Sequence, residues 1–250
     1  MAKPMMCKNC NKKFVGKFCS NCGQTANTHR LGIHYIWHDL QHGLFHFDNG
    51  IFYTIKQLLT NPGLTIKEFL NGKRQRHFKP LSLIVVLATI YGLAFSNFIA
   101  VSLPVEVITV YDNVDNFYIR MLHWIIMHFS YATLILIVTT TFASYIVFKK
   151  QGFNFAEHLV LNTFYRGLSL IIAITLLPVQ YLSYKNYGID GLKFYAILTQ
   201  FLDIGMICWC YMQFFDTLKR IKSFSFTLLT YFFVLCINMI LAALVGTIVP

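Results

Sequence analysis

Four cysteines fall inside the first 24 residues, in the stretch "CKNCNKKFVGKFCSNCGQ", spaced Cys7-x2-Cys10-x8-Cys19-x2-Cys22. Each pair can present two thiolates from one tight turn. Two such turns facing one another supply the four ligands that a tetrahedral zinc ion takes at about 2.3 Å. The turn needs backbone that tolerates positive φ just past its second cysteine, which Gly23 provides and Asn11 allows. Between the pairs, "NKKFVGKF" has the length of a short hairpin, with Gly16 as turn residue and Phe14 and Phe18 as flanking cover. Two disulfides or four unrelated thiols are the competing readings. Regular pairing and a reducing compartment favour zinc. Four thiolates leave no position open for water, so the ion is expected to be structural and to supply much of the module's folding free energy.

A second donor set follows. His34, His38, His42 and His46 recur every fourth residue, opposite apolar residues Ile33, Ile36, Trp37, Leu40, Leu44 and Phe47 at helical spacing. The stripe drifts by about 40° per step, so neighbouring rings can touch while the outer two cannot share one site. It could bind a transition metal or titrate near neutral pH. The preferred reading is a polar face of an amphipathic helix at the membrane surface, ended by Asn49-Gly50.

Further on, Asn61-Pro62-Gly63 is a turn signal between two short helical stretches. The basic cluster Lys73, Arg74, Arg76 and Lys79 then precedes Pro80, where the first long apolar run begins. Cations beside a membrane attract anionic headgroups with about 1 kcal/mol each, so headgroup anchoring is the default and a specific lipid or phosphate site the sharper alternative. Inside the apolar runs, ionisable groups are costly and mark candidate chemistry. His158, Asn162 and Arg166 fall at i, i+4 and i+8 on one helical stripe, and Asp203 lies near the middle of the next run. An Arg166–Asp203 ion pair is possible, as is a snorkelling Arg166 with Asp203 bonded to a neighbouring helix. Glu157 and His158 could act as an acid–base pair, but a helix start with Glu157 matching the dipole is the preferred reading.

The elements that position these residues follow from composition. Of 250 residues, 56% are hydrophobic, 12% charged and 24 are phenylalanine, too apolar for an ordinary soluble domain. The fold class is therefore an all-α integral membrane protein with a small N-terminal zinc ribbon and cytosolic amphipathic helices. About five transmembrane helices are expected, at about 81–102, 122–148, 158–183, 193–215 and 224–249. Three units result: a ribbon over 1–27, interfacial helices over 28–79 and a bundle over 80–250. The first residues contain no apolar signal segment, so the N-terminus is expected to be retained. Twelve of the 21 Lys and Arg precede the first span, and the loops at Lys149-Lys150 and Lys219-Arg220-Lys222 are also basic. The positive-inside rule then places the N-terminus in the cytosol and, after five spans, the C-terminus outside. A net charge of +11 beside apolar spans points to anionic lipid as partner, with a protein partner at the cytosolic face open and nucleic acid disfavoured. Phosphate-loop, nucleophile-elbow and H-E-x-x-H motifs are absent.

The run "FCSNCGQ", then "FHFDNGIFYTIKQLLTNPGLTIKEFLNGKRQRHFKPLSLIV", then "FNFAEHLVLNTFY" resembles the bacterial membrane-protein family described as domain of unknown function 3667. The resemblance implies a zinc-ribbon-headed protein of the bacterial inner membrane and brings no activity with it. The expected function is a non-enzymatic docking or sensing protein with a cytosolic zinc-ribbon head. A membrane enzyme acting on a lipid headgroup and a small-solute or ion permease are the alternatives, and the reading leans away from catalysis.

Overall fold

The computed structural model describes residues 4–33, 50–95 and 128–248. Strands β1 (Met5–Met6) and β2 (Lys13–Phe14) pair antiparallel, with Met5 opposite Phe14. A further bridge joins Phe18 to Thr25. This head is built around a small cluster of its own, Cys7, Phe14 and Cys19. Phe14 is 6% exposed and covers the cysteines as expected, whereas Phe18 is 62% exposed and does not. The expected histidine helix, with His34, His38, His42 and His46, lies outside the described residues.

Helices α1 (Gly50–Thr60) and α2 (Pro62–Leu70) form the pair expected around Asn61. Pro62 occupies the first turn of α2, where its missing N–H costs nothing. Gly72, at φ 104°, ends α2 in a Schellman arrangement: Lys73 N–H donates to Glu68 O at 3.0 Å and Gly72 N–H to Phe69 O at 3.1 Å. Six of the nine residues of α2 are buried, Thr65, Ile66, Phe69 and Leu70 among them. It packs on the long helices rather than lying free at a surface.

Among the described residues, four helices are long and apolar enough to cross a membrane. They are α4 (Phe129–Val147), α5 (Phe155–Gly188), α6 (Asp190–Phe214) and α7, which runs over Arg220–Ile248 with Arg220–Leu241 as its spanning part. The first expected span is represented by α3 (Pro80–Phe95), 16 residues long, and residues 96–102 of that expectation lie outside the described residues. The segment "YKNYGIDG", which falls between the expected spans 158–183 and 193–215, is helical up to the break at Gly188, where φ 58° and ψ −136° reverse the chain. The helices return so closely that a Cβ on Gly191 would meet Ser183 O at 2.1 Å. At about 51 Å by its 34 residues, α5 exceeds the hydrocarbon thickness of about 30 Å.

The start of α5 is fixed by a capping box. Asn154 Oδ1 accepts from Glu157 N–H at 2.9 Å, and Glu157 Oε2 accepts from Asn154 N–H at 2.8 Å. Rings of Phe148, Phe153, Tyr211, Phe214 and Phe215 interlock where α4, α5 and α6 meet at the head end, with Phe148 and Phe215 stacked at 3.9 Å. Between spans, lipid competes for apolar contact, so close packing and internal hydrogen bonds carry the cohesion.

Candidate functional site

The two cysteine turns are near copies of one another. Asn11 N–H donates to Cys7 O and Gly23 N–H to Cys19 O, each at 2.9 Å, and the two residues adopt φ 56° and 72°. All four Sγ atoms lie within 4.8 Å of one another, with Cys7–Cys22 at 3.5 Å and Cys10–Cys19 at 3.6 Å. A disulfide requires about 2.05 Å. The edges of a tetrahedron with Zn–S bonds of 2.3 Å are about 3.8 Å, so the cluster has the size of a four-thiolate metal site. Backbone amides aim at the sulfurs: the Lys12 N–H bond leads in lowering the Cys10 pKa to about 6, against burial. Burial pushes the Cys7 thiol up to about 11, so a bound cation is what would hold all four as thiolates together.

The head is clamped to the helices by long-range polar contacts. The buried Gln24 side chain accepts from the N–H groups of Gln75 at 3.0 Å and Arg74 at 3.3 Å. Arg74 Nη2 donates to His29 O at 3.0 Å, its Nε donates to Phe69 O, and its guanidinium lies over the Phe69 ring. Arg30 makes a two-pronged pair with Glu157, Nε to Oε1 at 2.7 Å and Nη2 to Oε2 at 2.6 Å. That pair raises the Arg30 pKa through its hydrogen bond to Glu157. Asn154 Nδ2 donates to Leu31 O at 2.9 Å, and Leu31 is buried in the main core. Glu157 is therefore a cap and an anchor, with both oxygens committed. Of the remaining basic residues, Lys73 pairs with Glu68, Arg76 is exposed and Lys79 is half-buried.

His77, in the same loop, is buried against Tyr53 and Phe69 with ring centroids at 5.2 and 6.2 Å. Its Nδ1 has no hydrogen-bond partner. Burial lowers its pKa from 6.5 to about 4. A His kept neutral by the fold binds its proton more readily when unfolded, so this contribution is intact above pH 6.5 and is lost as the pH falls toward 4. The shift corresponds to about 3 kcal/mol. Thermal midpoints of the wild type are expected to fall more steeply over that window than those of a His77→Phe variant, and parallel curves would contradict this.

One turn into α5, His158 lies fully buried in a polar knot. The Ser144 hydroxyl donates to Thr141 O at 3.1 Å, leaving it to accept from His158 Nδ1 at 3.0 Å and Asn162 Nδ2 at 2.9 Å. Tyr211 donates to Asn162 Oδ1 at 2.6 Å. His158 Nε2 has no partner, and the imidazole packs among the rings of Tyr145, Phe153 and Phe215. Glu157 and His158 thus point to different environments and do not form an acid–base couple.

Deeper still, α4, α5, α6 and α7 line a partly open cavity of about 230 Å³. Asn162, Arg166 and Asp203, singled out in the sequence, line it together. Thr140, Tyr165, Gln200 and Tyr231 add polar groups that single-residue inspection of apolar runs passes over. Arg166 and Asp203 are not an ion pair: Asp203 Oδ1 instead accepts from the Ser169 hydroxyl. Asn238 also lines it, and its Nδ2 donates to Thr139 Oγ1 of α4 at 3.2 Å.

Residues 48–92 match the family model described as Protein of unknown function (DUF3667). The matched segment comprises α1, α2, the loop that receives the head and most of α3. No curated protein and no solved structure matches the chain.

Proposed function

We propose, for a chain whose residues 48–92 are a DUF3667 segment, a non-enzymatic docking or sensing protein of the bacterial inner membrane. Its N-terminal head is a structural zinc ribbon on the cytosolic side, and the C-terminus is periplasmic. The supporting observation is the way the clamped head is dressed. Met5, Met6, Val15 and Phe18 are exposed in the segments that carry Lys13 and Lys17, while Gln24, Arg30 and Leu31 fix the head to the helices. Exposed apolar tips among cations suit an anionic headgroup surface, where each lysine adds about 1 kcal/mol of attraction.

Amide exchange of the full chain in nanodiscs tests this. With anionic lipid present, protection is expected to rise at Met5–Met6 and over residues 15–18, and to fall back in a Lys13→Glu/Lys17→Glu variant. Equal protection in purely zwitterionic discs and in the variant would sink the headgroup-docking reading. A lipid-headgroup enzyme gains no support from the committed Glu157 and the enclosed His158. The intramembrane cavity is the specific observation that favours a solute-binding reading beside the first.

A further inference from the structure

The cavity holds two opposite charges that are kept apart. Arg166 lies 166 − 155 = 11 residues into α5, and Asp203 lies 214 − 203 = 11 residues before the end of α6. Both are thus about 16 Å from the head-end termini of their helices, near the middle of a hydrocarbon layer of about 30 Å. Arg166 Nε is buried with no hydrogen-bond partner. Asp203 takes one hydrogen bond from Ser169, and its second oxygen takes none among the described residues. They are the cavity's two charged lining residues, so the formal charge of the lining cancels.

We propose that this cavity binds a small zwitterion, an amino-acid-like molecule whose carboxylate seats on Arg166 and whose ammonium seats on Asp203. The guanidinium fork matches a carboxylate in shape and charge. A simple anion would leave Asp203 uncompensated and give the site a net negative charge, and a simple cation would do the converse at Arg166. A dipolar ligand compensates both groups and keeps the site neutral. Ile137, Ile207, Val234 and Leu235 offer an apolar wall to a short side chain. The inference is independent of what the head docks against.

The full chain in nanodiscs is titrated calorimetrically with L-leucine and glycine, then with 4-methylpentanoate, which lacks the ammonium, and 3-methylbutylamine, which lacks the carboxylate. An amino acid is expected to bind, and each half-molecule to bind about tenfold more weakly or worse. Losing one partner of a buried charged contact weakens binding by about thirtyfold or more, so Arg166→Gln and Asp203→Asn are each expected to do so. Asp203→Asn is expected to leave 4-methylpentanoate binding intact or tighter. Arg166→Lys keeps the charge and guards against misfolding of the Gln variant; it is expected to bind with intermediate affinity. Lys193→Gln, at the exposed Asp190 pair, is expected to match wild type. The proposal is overturned if neither amino acid binds the wild type at millimolar concentration. It is equally overturned if 4-methylpentanoate binds as tightly as leucine, or if Asp203→Asn and Arg166→Lys both bind leucine like wild type.

Discussion

Gly63→Ala is expected to destabilise the protein by about 3 kcal/mol or more, well above the typical cost of adding one methyl group to a packed interior. A Cβ at this position would lie 2.3 Å from Cys210 O, 2.5 Å from Gln213 Cβ and 2.5 Å from Phe214 N. These include backbone atoms of α6, which cannot rotate away, so α2 itself must retreat by about 1 Å to restore van der Waals separation. The retreat strains everything that α2 brings with it. Gly63 N–H donates to Gln213 Oε1 at 3.0 Å, Lys67 pairs with Asp216, and the Phe69 ring meets Phe164 edge-on at 5.2 Å. It also shifts the Schellman turn that offers the Arg74 and Gln75 amides to Gln24, so the head loosens with the helix. Leu64→Ala is the matched control, because Leu64 is 46% exposed and its loss leaves the seat intact. Thermal unfolding of the two purified variants checks the expectation. Equal midpoints for Gly63→Ala and wild type would mean that α2 does not sit flush on α6.

What the sequence reveals and what it conceals divide by range. The cysteine turns are local: spacing, Asn11 and Gly23 dictate them, and both residues adopt the positive φ expected. The turn at Asn61 and the α5 start at Glu157 are equally local, the second written in the Asn154-x-x-Glu157 box. The purpose of Gly63 is not local. Beside Pro62 it reads as turn chemistry, yet its φ is unremarkable and the missing side chain is needed for a partner 147 positions away, 210 − 63. The Arg30–Glu157 anchor spans 127 residues and no periodicity announces it. Gln24, an ordinary surface residue by type, is buried because the chain 50 residues on supplies two amides to it. The α5–α6 reversal hides for another reason. Tyr, Lys and Asn look like loop composition, but helical hydrogen bonding continues through them until Gly188 breaks it. Arg166 and Asp203 were legible as costly intramembrane charges; that Ser169 rather than Arg166 bonds Asp203 is a contact that composition cannot disclose.

Cys7→Ser/Cys22→Ser is expected to abolish metal binding by the head while leaving the helical body folded, a separation that follows from the two cores. The head's cluster comprises Cys7, Phe14 and Cys19, with Cys10, Cys22 and Ala26 around it. The body's cluster runs from Leu31 through α1 to α6 and includes no cysteine of the head. With one buried phenylalanine and two two-residue strands, the head cannot repay the ordering of its own backbone at about 1 kcal/mol or more per residue. Structural zinc sites supply about 10–16 kcal/mol in small modules near neutral pH, which is enough. Elemental analysis of the full chain is expected to find one zinc ion per wild-type protein and none in the double variant. Trypsin is then expected to cut at Lys12, Lys13 and Lys17 in the variant, and amide exchange to accelerate over 5–26 while α5 and α6 stay protected. Because the ligands must be thiolates, acidification competes with the metal, and chelator-induced release is expected to speed up as pH falls. Zinc retained in full by the double variant would place it elsewhere in the chain. A metal-free wild-type head that stays protected would show that the polar contacts of Gln24 and Arg30 hold it without an ion. The separate clusters make these outcomes distinguishable, since loss of the head's fold leaves the body as an internal reference in the same molecule.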